Sequence, residues 1–126
     1  MKKNEVLELS VAFAVEIIKY CELLEEKRKY VIARQLLKSG TSIGANVKEA
    51  QNSESQQDFI HKLKIAAKEA EETEYWIYII QQVDTYPTPP ESISSKLKSI
   101  INLLNKIIIT LKTKTPPPSS PNHLIT

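Results

Sequence analysis

Asp58-Phe-Ile-His61 sets a carboxylate and an imidazole three residues apart, a spacing that on a helix brings both onto one face. Two Glu-x-x-His pairs with two further carboxylates make a di-iron centre inside a helix bundle. This chain falls short of that count: its one other histidine, His123, follows a proline-rich stretch. His61 is therefore expected at the surface, and no metal or other cofactor is expected. Glu69, Glu71, Glu72 and Glu74 could suggest acid chemistry, but a run of like charges on a helix usually marks a solvated face. Glu71 and Glu72 fit that description, whereas Glu69 and Glu74 flank small, stripe-forming residues and read as structural. With one histidine in the folded part, no Ser-His-Asp or Cys-His set can be assembled, so an enzyme is not expected.

Both glycines fall in Lys38-Ser-Gly-Thr-Ser-Ile-Gly-Ala-Asn-Val-Lys-Glu-Ala50. A phosphate loop of the form G-x-x-x-x-G-K-[ST] needs one more residue between them and a Lys-Ser/Thr pair after the second, where this chain has Ala45-Asn46. Gly40 and Gly44 instead stand one helical turn apart. Each costs a helix roughly 1 kcal/mol relative to alanine, a cost that makes sense where a second backbone comes close. Asn46 occupies an apolar-stripe position, so its amide is expected to bond Glu49 or Glu74 and to fix helix register.

Polyanion binding needs clustered cations, and the formal net charge is only +2. Residues 4–26 hold six acids and one lysine, and residues 54–84 hold seven acids and three lysines, so both repel phosphate. The candidate phosphate contacts are Lys27, Arg28 and Lys29, together with Lys96, Lys98, Lys106, Lys112 and Lys114 near the C-terminus. Tyr75, Trp76 and Tyr78 have the chemistry to stack on bases, but their acidic surroundings favour a protein contact. With Ile79 they are the candidate oligomer interface.

Apolar residues at alternating spacings of three and four call for helices at about 4–26, 31–52, 55–83 and 89–112. The expected stripes are Leu7, Ser10, Ala14, Ile17, Cys21 and Leu24, widened by Val11 and Ile18; Ile32, Leu36, Ser39, Ile43, Asn46 and Ala50; Phe59, Leu63, Ala66, Ala70, Thr73, Ile77 and Ile80; and Ile93, Leu97, Ile100, Leu104, Ile107 and Leu111. Ser55-Gln-Gln-Asp58 and Thr88-Pro-Pro-Glu91 carry N-terminal capping signatures. Short connections make the fold class all-α, an antiparallel up-down-up-down four-helix bundle over 1–112. Residues 113–126, rich in Pro and Ser, are expected to be a disordered tail. The lone Cys21, the lack of a signal peptide and the absence of an apolar run of ~20 residues together predict a cytoplasmic protein that meets no membrane.

The wording Gly40-Thr-Ser-Ile-Gly-Ala-Asn-Val-Lys-Glu-Ala50, Ser55-Gln-Gln-Asp-Phe59 and Ile65-Ala-Ala-Lys-Glu-Ala-Glu-Glu-Thr-Glu-Tyr-Trp-Ile77 resembles a family of small bacterial four-helix bundles. That family is encoded within intervening sequences of 23S ribosomal RNA genes and is often labelled S23 ribosomal protein. It is similar to the accessory variability determinant of diversity-generating retroelements. The resemblance implies a homopentamer that contacts nucleic acid and a reverse transcriptase. This chain departs from that accessory protein in charge, which there is strongly basic.

The leading expectation is thus a non-enzymatic homo-oligomeric adaptor contacting RNA or DNA through basic patches. The alternative is a purely structural or protein-interaction module without nucleic-acid affinity. Elemental analysis of the purified protein is expected to find no stoichiometric iron, manganese or zinc, and two metals per chain would refute the ligand count.

Overall fold

The computed structural model describes residues 4–114. They form four α-helices: α1 (Glu5–Glu26), α2 (Tyr30–Ala50), α3 (Gln56–Gln82) and α4 (Glu91–Lys114). Thr113 and Lys114, assigned above to the tail, belong to the last turns of α4. Prolines begin only at Pro116, so nothing forbids the extra helical residues. The rest of the expected tail, 115–126, lies outside the described residues.

Each helix packs on its neighbours in sequence, and α1 also meets α4, closing a ring with no diagonal contacts among the described residues. This is an up-down-up-down bundle, about 30 Å long for helices of this size. Phe13, Ile17, Leu24, Leu36, Ile43, Leu63, Ile80, Ile93, Ile100 and Leu104 are fully buried along its axis.

The stripe on α1 is turned from the one expected. Val6, Phe13 and Tyr20 are buried with Ser10, Ile17, Cys21 and Leu24, whereas Val11 is 54% exposed and Ile18 42%. α1 is apolar on most of its circumference, so its own periodicity does not select a phase. Its neighbours do, and the bulkier Phe13 and Tyr20 take the inside.

Gly40 and Gly44 lie inside α2, neither with positive φ, and both face α1. A Cβ placed on Gly40 would stand 3.0 Å from Ile17 Cγ2, and one on Gly44 would stand 3.3 Å from Ser10 Cβ. The glycines thus leave α1 close enough that even a methyl group at either position would crowd it. On its other side α2 meets α3 through small polar groups. The Thr73 hydroxyl lies 2.9 Å from the Ser39 hydroxyl and 2.7 Å from the Glu69 carbonyl, while Ser10 donates to the Val6 carbonyl at 2.7 Å. The buried hydroxyls of Ser10, Ser39 and Thr73 thus all have partners, whereas Ser53 Oγ, between α2 and α3, is buried without one among the described residues.

The ends are fastened separately. The backbone N–H of Lys29 bonds the Leu24 carbonyl and that of Arg28 bonds Glu25, a Schellman closure of α1. Arg28 carries the left-handed φ of 64° that this motif more often assigns to glycine. At the same end, the Tyr20 hydroxyl donates to the Pro87 carbonyl at 2.6 Å, and Lys29 Nζ sits 5.0 Å from the centre of the Tyr86 ring. These two contacts pin the α3–α4 connection over the mouth of the bundle. At the opposite end the Ser55 hydroxyl accepts from the Asp58 N–H at 3.0 Å and starts α3.

Gly44→Leu and Gly40→Leu should each destabilise by more than about 2 kcal/mol, because the added side chain must push α1 away. Urea unfolding monitored by circular dichroism checks this, and a gain in stability would contradict the close approach.

Candidate functional site

The residues nominated for phosphate contact do not form one patch. Lys27, Arg28 and Lys29 crown the end where α1 passes to α2, while Lys112 lies at the far end of α4, roughly 30 Å away by helix length. Lys29 is committed to the Tyr86 ring. Lys96 is committed to Glu16, with Nζ 2.5 Å from the carboxylate, and Ser92 donates to the same carboxylate at 2.6 Å. Lys98, Lys106 and Lys112 remain exposed on the outside of α4.

Tertiary packing supplies two cations that sequence reasoning had set aside. Lys64 and Lys68, counted within an acidic segment, share a face of α3, and Lys64 meets Lys112 of α4. The nearby Lys112 ammonium, with some burial and Lys68, pulls the Lys64 pKa below its ordinary value. Among the described residues no carboxylate pairs with these three lysines. The only available signal was the i, i+4 spacing of Lys64 and Lys68, since the approach of Lys64 to Lys112 spans more than 40 residues.

Further along the same α3 face the chemistry reverses. Between α3 and α4 lies an open groove of about 560 Å³, lined by Glu71, Glu74, Tyr75, Tyr78 and Gln81 of α3 and by Leu97 of α4. Tyr75 is 57% exposed and Tyr78 61%, whereas Ile77 and Ile80 of the same run are buried in the core. Trp76 and Ile79 are half-buried. The Trp76 N–H donates to Glu72 at 3.2 Å, and its ring stands edge-on to Tyr75 with centroids 5.3 Å apart. A second uncovered apolar stripe, Val11, Val15 and Ile18, runs along the outside of α1.

The residues nominated as structural behave differently from one another. The Asn46 amide donates to the Ser42 carbonyl one turn earlier on its own helix, at 2.8 Å, and bonds neither Glu49 nor Glu74. Its position at the edge of the α2 stripe leaves it only half-buried, so no cross-helix partner is demanded. Glu49 pairs instead with Lys62 across the α2–α3 seam at 3.1 Å, an exposed link worth little by itself. Glu74 lines the groove. Burial, reinforced by Glu72, raises the Glu69 pKa against the opposing pull of Lys38.

His61 is exposed, and among the described residues no three His, Cys, Asp or Glu side chains gather closely enough to hold a metal ion. Burial pushes the Cys21 thiol up to about 12, and its S–H points at the Ala33 carbonyl 3.4 Å away, a packed and unreactive setting. No helix among the described residues is long and apolar enough to cross a membrane.

Fold and surface together define a small all-α four-helix bundle. The model of the 23S rRNA-intervening sequence protein family matches residues 2–109, and the chain belongs to that family. It is similar to a protein of unknown function from the S23 ribosomal protein family of Bacteroides thetaiotaomicron VPI-5482, whose crystal structure is known: 44% identity, 82% of this chain and 97% of that one covered, TM-score 0.76. No curated protein matches the chain.

Two carboxylates predict opposite pH responses. The bonds from Lys96 and Ser92 lower the Glu16 pKa from 4.5, so its stabilisation is present above that value and is lost as pH falls through the folded pKa. Glu69 has a raised folded pKa, so stability is lost as pH rises through the carboxylate range. Denaturant titrations from pH 3 to pH 7 should show Glu16→Gln flattening the acid limb. Glu69→Gln should stabilise modestly at pH 7 and leave pH 3 unchanged.

Proposed function

We propose that this protein is a non-enzymatic, homo-oligomeric adaptor whose α3–α4 surface contacts RNA or DNA. The observation that carries the nucleic-acid part is the gathering of Lys64, Lys68 and Lys112 on one surface without carboxylate partners among the described residues. Clustered ammonium groups are the chemistry that phosphate backbones reward, through counterion release.

Self-association is supported by a different feature. The bundle leaves Val11, Val15 and Ile18 uncovered on α1, and Tyr75 and Tyr78 uncovered on α3. Two unlike apolar patches on one chain suit a head-to-tail contact, which closes into a ring when the rotation allows. A pentamer is the number suggested by resemblance to the retroelement accessory protein, and a reverse transcriptase is the protein partner suggested the same way. A second reading, an assembly module without nucleic-acid affinity, is favoured by the acidic groove and the near-neutral net charge.

Light scattering at micromolar concentration should find an oligomer, and a monomer would reject the assembly part. The parent protein should bind single-stranded RNA at low salt. Lys64→Glu, Lys68→Glu and Lys112→Glu together should abolish that binding, whereas Lys96→Glu would mainly report the lost Glu16 pair. Each neutralised phosphate on a single strand contributes roughly 0.7 to the slope of log affinity against log salt. A parent protein that shows no binding would replace the adaptor with the assembly module.

A further inference from the structure

The α3–α4 groove combines three properties. It is open along its length, it carries two exposed tyrosines one helical turn apart, and it is rimmed by Glu71 and Glu74. Tyrosine-lined grooves suit proline-rich segments, because a polyproline helix is already ordered and its rings lie flat against aromatic faces. The acidic rim adds a preference for a segment without carboxylates.

The chain itself holds such a segment directly after α4. Residues 115–126, Thr-Pro-Pro-Pro-Ser-Ser-Pro-Asn-His-Leu-Ile-Thr, contain no acid and include Pro118-Ser-Ser-Pro121, a P-x-x-P spacing. With three residues per turn, Pro118 and Pro121 fall on one edge of a polyproline helix, roughly 9 Å apart. We propose that the α3–α4 groove is the docking site for this segment of the same chain, laid back antiparallel to α4. The proposal goes beyond the adaptor reading and does not depend on it.

The reach agrees with the placement. α4 ends at Lys114, and the groove residue Leu97 lies 17 positions earlier, roughly 26 Å back along the helix axis. At about 3.1 Å per residue, an extended segment covers that distance in eight or nine residues. Asn122 and His123 then come level with Leu97, and Pro121 arrives beside the tyrosines. The apolar Leu124 and Ile125 follow toward the upper end of the groove, and His123 meets an acidic rim. The docked segment shields part of the aromatic surface available to a second copy, so assembly and docking compete for Tyr75 and Tyr78.

Two-dimensional NMR of the full chain tests this, with the synthetic peptide 113–126 as the free reference. In the parent protein, the amide shifts of Ser119, Ser120, Asn122, His123 and Leu124 should differ from those of the peptide. Tyr75→Ser with Tyr78→Ser should return them to peptide values. Pro118→Ala with Pro121→Ala changes no residue of the four helices, and it should move the amides of Tyr78, Gln81 and Leu97. Parent shifts identical to those of the free peptide would overturn the proposal. Shifts that revert to peptide values on dilution would place the segment on a second copy and overturn the same-chain assignment.

Discussion

The approach of α1 to α2 across Gly40 and Gly44 is the constraint from which the rest of the packing follows. A Cβ on Gly40 would press on the Ile17 side chain, and one on Gly44 would meet Ser10, so the two helices pack closely here. That closeness orients α1 so that Ile17 and Ser10 face α2 and Phe13 enters the axis. The opposite flank of α2 is equally short of bulk, with Ser39 against Thr73, and Ala66 and Ala70 behind it on α3. α2 is thus held between two neighbours by small side chains, and large apolar residues are reserved for the centre. Dispersion among many well-placed atoms, rather than any single strong contact, holds this arrangement.

The fourth helix is attached by other means. α1 and α4 meet through the Glu16–Lys96–Ser92 group on the outside, while Ile93, Leu97 and Ile100 are buried in the core. Tyr20 and Lys29 then fasten the connection that leads into α4 from above. A helix secured at its entry and along one polar edge leaves its outer face free. That face carries Lys98, Lys106 and Lys112, all exposed, together with Ile109 at 61% exposure.

Charge is polarised along the α3–α4 surface, with cations at the Lys112 end and carboxylates beside the tyrosines. A nearly neutral chain therefore carries a local cluster of each sign. Net charge governs solubility and long-range attraction, whereas local clusters decide what can dock. Contacts with phosphate and contacts with an acid-free peptide can consequently coexist on one face, separated by a few helical turns.

What the sequence determined by itself is the four-helix architecture, because a 3.6-residue apolar period, two glycines at one-turn spacing and the Ser55 cap are local properties of each segment. Most of the α3 and α4 stripes were legible in the same way, Leu63, Ala66, Ala70, Thr73, Ile77 and Ile80 on α3 and Ile93, Leu97, Ile100 and Leu104 on α4 being buried, whereas at the end of α4 Ile108 is buried in place of Ile107. α1 was not legible in this way. Val11 and Ile18 compete with Phe13 and Tyr20 for the interior, and only packing against α2, α4 and the α3–α4 connection settles which pair is buried. Asn46 likewise keeps its amide on its own helix because tertiary packing leaves it at the edge, where the Ser42 carbonyl suffices. Of the candidate site, the exposed tyrosines and Lys112 could be named from the chain. The grouping of Lys64 and Lys68 with Lys112, the diversion of Lys96 to Glu16 and the groove itself were decided by tertiary structure. Each joins residues from different helices, and no local pattern records which faces two distant segments will share.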